Sequence, residues 1–181
     1  RLAGIELIVL GLGEPYQHYD DKLKRYYSYL QNTQVVKDDD LIVLLDAYDV
    51  LLFPSIRSLH YRMATARTPV VACAESGIYP EPYTPWVYPQ GLRGDGSSSA
   101  SLNAAGHAFL RDRGQARFLN SGCIAGRGAD MRKMLDEVHE MMLFIKDDQQ
   151  AFVRYMLSHP HVISIDMPSL FLKKKYGLPS R

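Results

Sequence analysis

The stretch from Asp39 to Phe53 constrains the chain more than any other. Leu41-Ile42-Val43-Leu44-Leu45 is an unbroken apolar run entered through Asp39 and Asp40; Asp46 and Asp49 then bracket Ala47-Tyr48, and Val50-Leu51-Leu52-Phe53 comes next. An apolar run this short, with no helical stripe, fits a strand buried on both faces. Carboxylates at the end of such a strand are costly unless a cationic partner or a metal compensates them. Open α/β sheets place ligands at the carboxyl ends of their strands. Two acids there, at D-x-x-D spacing, suit a hard divalent cation, Mg or Mn, completed by water and substrate phosphates. The competing reading is a strand-end turn in which Asp49 caps the next segment, and the motif alone does not choose between them.

A length of 181 residues predicts one domain, 1–181, with an ample core. The net charge of +1 gives no general attraction to nucleic acid or to a membrane surface. Two cysteines, Cys73 and Cys123, are too few for a disulfide framework and match no metal spacing. Both lie in strand-like runs, so two buried free thiols are expected, which leaves the redox compartment open. No apolar stretch has the length of a membrane span, and no signal peptide is visible. The chain opens at Arg1 without a methionine and reads as a piece of a longer protein, so the missing leader carries no weight.

Ile5 to Leu10 reads as a strand broken by Gly11-Leu12-Gly13, a loop without the third glycine of the dinucleotide fingerprint. Leu23, Tyr26, Tyr27 and Leu30 recur at helical spacing, which predicts a helix over 20–30 capped by Asp20 or Asp21. Lys22 and Lys24 read as solvated, although a lysine facing the acids could reach a phosphate. Pro54-Ser55 opens a second helix carrying Ile56, Leu59, His60 and Met63, with His60 a surface or packing residue rather than a ligand. Pro69 to Glu75 is a third strand ending in a carboxylate. Residues 79–89 are too rich in proline for regular structure; their aromatics suit either a platform for sugars or bases or a lid on the core. Residues 91–106, rich in Gly, Ser and Ala, read as a flexible insertion.

Arg117 to Gly126 is a strand interrupted at Asn120-Ser121-Gly122, where glycine permits close backbone approach. The methionine stripe of the helix over 129–144 reads as core. Asp147 and Asp148 open a helix, and capping with the macrodipole suffices to explain them. His159-Pro160-His161 reads as a turn, Val162 to Asp166 as the last strand, and Lys173-Lys174-Lys175 as a solvated basic patch.

Five segments, in this order, resemble one family, the GT-A-type glycosyltransferase domain of the procollagen lysyl hydroxylases. Val9-Leu10-Gly11-Leu12-Gly13-Glu14 is similar to its strand and VLGxGE loop, and the run from Asp39 to Val50 to its DDLIVxxDxYDV. Ala74-Glu75-Ser76 with Tyr79-Pro80-Glu81 resembles SAESxxWPE, Phe118 to Gly126 resembles FLNSGGxIG, and Asp147-Asp148-Gln149 resembles DDQLF. The resemblance spans nearly the whole chain. It implies that Asp46 and Asp49 ligate Mn, or Mg, on the UDP diphosphate, and that Tyr48 lies against the nucleotide. It implies that Asp147 and Asp148 sit by the anomeric carbon, as catalytic or acceptor-positioning carboxylates. Glu75 and Asn120, with Ser121, Gly122 and Tyr79, would line the donor and acceptor pocket. Tyr79 stands where the family carries tryptophan, and Cys123 where it carries a second glycine. The family's third metal ligand is a histidine, and no histidine of this chain is assigned to that role.

The resulting expectation is an α/β domain with a GT-A-like, mostly parallel central sheet flanked by helices. The expected activity is metal-dependent transfer of glucose or galactose from a UDP-sugar to a protein-linked hydroxyl or glycan, with retention. The resemblance implies a secretory-pathway compartment; the charge and apolar pattern of this chain predict neither a nucleic-acid partner nor a membrane span within it. A non-catalytic nucleotide-sugar-binding domain is the main rival. A phosphotransferase or hydrolase using the same acids lacks a nucleophile and a phosphate-cradling loop.

Overall fold

A computed structural model describes residues 5–18, 20–47, 50–52, 56–75, 118–166 and 172–174. In chain order these form α1 (Asp20–Leu30), β1 (Leu41–Leu45), β2 (Val50–Leu52), α2 (Ile56–Thr65), β3 (Val70–Glu75) and β4 (Phe118–Arg127). They continue as α3 (Gly128–Met141), α4 (Asp148–Ser158), β5 (Ile163–Asp166) and β6 (Leu172–Lys174). The class is α/β, as expected.

The sheet is mixed, which corrects the mostly parallel expectation. Its order is β1-β4-β3-β5, with β4 antiparallel to both neighbours and only β3 and β5 parallel. A short apolar run looks the same in the middle of either kind of sheet, so its composition does not fix strand direction. β4 is flanked on both edges, and nine of its ten residues are buried. A separate two-stranded ribbon pairs β2 with β6, so Val162 to Asp166 does not contain the last strand, and Lys173 pairs across from Leu51.

The strand expected over 5–10 does not form: Ile5 makes an isolated bridge and residues 6–9 carry no strand pairing. Leu7 and Val9 are 68% and 57% exposed. Strand propensity is realised only against a partner edge, and among the described residues 6–9 have none. The turn after it uses Gly11 and Gly13 at φ 75° and 79°, a region glycine enters without steric cost.

The core lies between the sheet and α1, α3 and α4. Leu23 and Leu30 of α1, Met131, Met134, Leu135 and Val138 of α3, and Phe152 and Met156 of α4 are fully buried with Leu119, Ile124, Val70 and Ile163 of the sheet. The methionine stripe of α3 is therefore core, as its spacing predicts, while Leu143 and Phe144 beyond its end are exposed. Tyr27 of α1 stacks on His139 of α3 at 4.2 Å. Cys123 is buried and Cys73 half-buried, and neither forms a disulfide.

The acids at the entrance to β1 have structural work. Asp40 Oδ2 accepts from Lys37 N at 2.8 Å, and the backbone oxygens of Asp40 and Asp38 accept from Gly128 N and Ala129 N. Arg127, the residue before α3, provides no side-chain cap, so these carbonyls satisfy the helix's first donors instead. Arg132 ties the same turn down through Val36 O and the Asp38 carboxylate. Glycine is required at 128, because a Cβ there would lie 2.1 Å from Lys37 O.

Among the described residues, no helix is long and apolar enough to cross a membrane.

Candidate functional site

β1 and β3 end on the same side of the sheet, on either side of β4. Along β3 the pairing runs Ala72↔Ile124 and then Cys73↔Asn120, so Ser121, Gly122 and Cys123 bulge from β4 with no partner on β3. Such bulges re-aim side chains beside functional sites. On the other edge Asp46 N donates to Gly122 O at 2.9 Å, which fixes Asp46 just past the end of β1 against the bulge. A Cβ at Gly122 would lie 2.7 Å from Asn120 Oδ1 and 2.9 Å from Asp46 Oδ2. Glycine is therefore what lets the Asp46 carboxylate close on the strand.

The amino end of α4 completes the site. Asp148, its first residue, and Gln149 are buried with Glu75, Asn120 and Ser121. Asn120 accepts from Gly122 N at 2.9 Å and donates to Glu75 Oε2 at 3.2 Å. Gln149 donates to Glu75 Oε1 and accepts from Ser121 N at 3.3 Å. Buried polar groups are retained where they are hydrogen-bonded, and this connected set leaves a rigid polar floor between β1 and β3.

Lys22 closes the circuit from α1. Its Nζ lies 2.8 Å from Asp46 Oδ1 and 2.6 Å from Asp148 Oδ2. The contact to Asp148 is one of charge more than of hydrogen-bond direction, since that oxygen finds no well-directed donor among the described residues. The three side chains are 21%, 26% and 11% exposed, so water screens the triad only in part. Burial alone would lower the Lys22 ammonium's pKa, but the Asp148 and Asp46 carboxylates outweigh it and hold it well above the ordinary lysine value. Lys22 is thus a fixed cation across the physiological range. One turn further along α1, Tyr26 Oη donates to Leu45 O at 2.8 Å, and burial pushes its phenol up out of titration.

Of the residues expected at the site, Asp46, Glu75, Asn120, Ser121, Gly122 and Asp148 converge. Asp147 stands beside them as the cap of α4, its Oδ1 accepting from Gln150 N at 2.8 Å. Tyr48, Asp49 and Tyr79 lie outside the described residues, as does the insertion over 91–106. Lys22 and Gln149 join the site as well: the sequence leaves open a lysine facing the acids, and it offers Gln149 only as part of the Asp147-Asp148-Gln149 motif. Lys22 departs from the solvated reading, and its signal is the i, i+4 relation to Tyr26, which places it on the sheet-facing side of α1.

Among the described residues no three His, Cys, Asp or Glu side chains form a metal-holding group. The donor chemistry nevertheless suits a hard cation: two carboxylate oxygens already share one cation, the Lys22 ammonium, as a stand-in ion. Asp46 supplies one of these carboxylates, while Asp49, three residues on, lies outside the described residues. No protein-family model matches this chain, and no curated protein matches it.

Proposed function

We propose that this chain is a hexosyltransferase that uses a UDP-sugar, depends on Mn or Mg, and acts on a protein-linked hydroxyl or a glycan. The observation that carries the reading is the Lys22 ammonium set between Asp46 and Asp148 at the carboxyl end of β1. Transfer of a glycosyl group breaks the bond from C1 to a diphosphate oxygen, and the electron pair leaves on the diphosphate. A site that stabilises this charge in a partly desolvated place supplies the largest share of catalysis. Lys22 offers a positioned positive charge for it, and a divalent ion held by Asp46 and Asp49 would supply Lewis-acid stabilisation. Asp148 faces the same point and on this reading orients the incoming hydroxyl, whose proton passes to the departing diphosphate oxygen as the hydroxyl oxygen bonds C1. Asn120, Gln149 and Glu75 provide amide and carboxylate groups suited to sugar hydroxyls, and Ser121 borders them. Retention of configuration, and glucose or galactose as the donor hexose, derive from the family resemblance.

A second reading has one observation in its favour. Asp147 caps α4 and Asp148 is engaged by Lys22, so both acids proposed for chemistry have structural duties. A domain that binds the nucleotide-sugar without turning it over would use the same donor pocket.

Calorimetric titration of UDP, with Mn and with EDTA, tests the donor site directly. Binding that requires Mn is the expected result, and hexose release or transfer from a UDP-sugar then separates the enzyme from the binding module. Absence of UDP binding in both conditions would remove the reading.

A further inference from the structure

We propose that Lys22 is a built-in competitor for the divalent ion at Asp46, so that loading the ion and releasing the ammonium are a single event. This rests on the metal-dependent reading above. The ammonium already occupies Asp46 Oδ1 at 2.8 Å and is held from the other side by Asp148 Oδ2 at 2.6 Å. The arrangement is specific to this lysine: Lys24, two residues along, is 55% exposed and pairs with Asp20 on its own helix. A divalent ion bonded to the Asp46 carboxylate would stand within a few ångströms of Nζ, and two cations that close in a partly buried place repel strongly. Asp148 gives the displaced ammonium a second carboxylate, so release from Asp46 does not strand it.

The competition has a thermodynamic consequence. When most of the ion-free protein has Asp46 occupied by Lys22, the apparent metal affinity is the intrinsic affinity multiplied by the small fraction of molecules in which it is not. The coupling is reciprocal, so a bound ion loosens Lys22 as much as Lys22 weakens the ion. The device keeps these partly buried acids neutralised before the ion binds. It also frees a positive charge beside the metal at the moment the metal arrives.

The test uses the whole chain without nucleotide. Mn binding is measured by calorimetry and by the loss of the free-Mn paramagnetic signal, for wild type, Lys22→Met, Lys22→Arg and Lys24→Met. Lys22→Met is expected to bind Mn at least about tenfold more tightly, while Lys22→Arg and Lys24→Met stay near wild type. Its melting temperature is expected to fall in EDTA and to return toward wild type in saturating Mn. Equal or weaker Mn binding by folded Lys22→Met, with wild type binding Mn, overturns the competition and leaves the metal reading standing. Absence of Mn binding in every variant overturns both. The wild-type protein gives an independent readout should Lys22→Met fail to fold. Amine labelling read by mass spectrometry should rise several-fold at Lys22 when Mn replaces EDTA, with Lys24 unchanged. No change at Lys22 under Mn saturation would sink the proposal.

Discussion

Gly122 shows how one missing side chain shapes the site. A methyl group at 122 meets two side-chain oxygens, Asn120 Oδ1 and Asp46 Oδ2, inside 3.0 Å, and both sit on side chains that can swing. Gly122→Ala should therefore cost only about 1 kcal/mol of stability, while Asn120 and Asp46 leave their places. Denaturant unfolding and Mn-dependent UDP titration measured together check this: near-normal stability with donor binding weakened tenfold or more is the expected pair of results. Asp49→Ala belongs at the same scale. It should leave the fold intact and abolish Mn-dependent UDP binding, and unchanged binding would remove Asp49 from the metal site.

What the sequence discloses of this site, and what it hides, also divides residue by residue. Asp46, Glu75 and Asn120 are legible because each is a polar residue ending or interrupting an apolar run, where an unsatisfied group would be expensive. Lys22 is not, because a lysine on an amphipathic helix is usually solvated and nothing local shows which carboxylates its tip will reach. Gln149 reads in sequence as one letter of an acidic helix start, whereas its amide bridges Glu75 to Ser121.

At the scale of elements, helices are easier to place than strands. α1 forms over the predicted residues, and α3 starts one residue early and ends three residues short of Phe144. Helical spacing reports a whole face, so it survives errors at single positions. Strand direction depends on neighbours far along the chain, and the period of two carries no record of it, which is why nothing in the sequence marks β4 as the antiparallel centre. α4 ties the two scales together, because the helix that presents Asp148 is anchored by Phe152, which is completely buried. Phe152→Ala should cost about 3–5 kcal/mol through the cavity it leaves. A lowered denaturation midpoint, with UDP binding lost in parallel as α4 loosens, would confirm that anchoring; a loss below about 1 kcal/mol would mean the site can collapse around the gap.

For the whole molecule, the ion pairs set the pH range of stability. Asp20 is held below its ordinary value of 3.8 chiefly by its hydrogen bond from Lys24, and Asp21 by the backbone N–H groups of Gln17 and His18. A depressed carboxylate contributes stability that is complete above its unfolded value and disappears as pH falls through the folded one. Lys22 has the opposite sign: its raised pKa gives stability complete below the ordinary lysine value of 10.5 and lost as pH climbs beyond it. Melting temperature should therefore be flat with respect to these groups from about pH 5 to 9. It should fall below about pH 4 as Asp20 and Asp21 protonate, and the acid limb should shrink in Asp21→Asn. An acid limb of the same size in that variant would show that other carboxylates govern it.

β1 is held at both ends. Before Leu41, the Asp38–Asp40 turn caps α3; after Leu45, the Asp46 backbone grips the bulge of β4. Five residues of strand separate these anchors, a span of roughly 17 Å at about 3.4 Å per residue. The strand thus works as a ruler whose zero is set at α3 and whose last mark is the Asp46 carboxylate. Lengthening it by one residue would do more than move that mark one pleat along. It would turn the carboxylate to the opposite face of the sheet, away from Lys22 and Asp148. Substitutions along the ruler are a matter of packing, but its length decides which face of the sheet the Asp46 carboxylate meets.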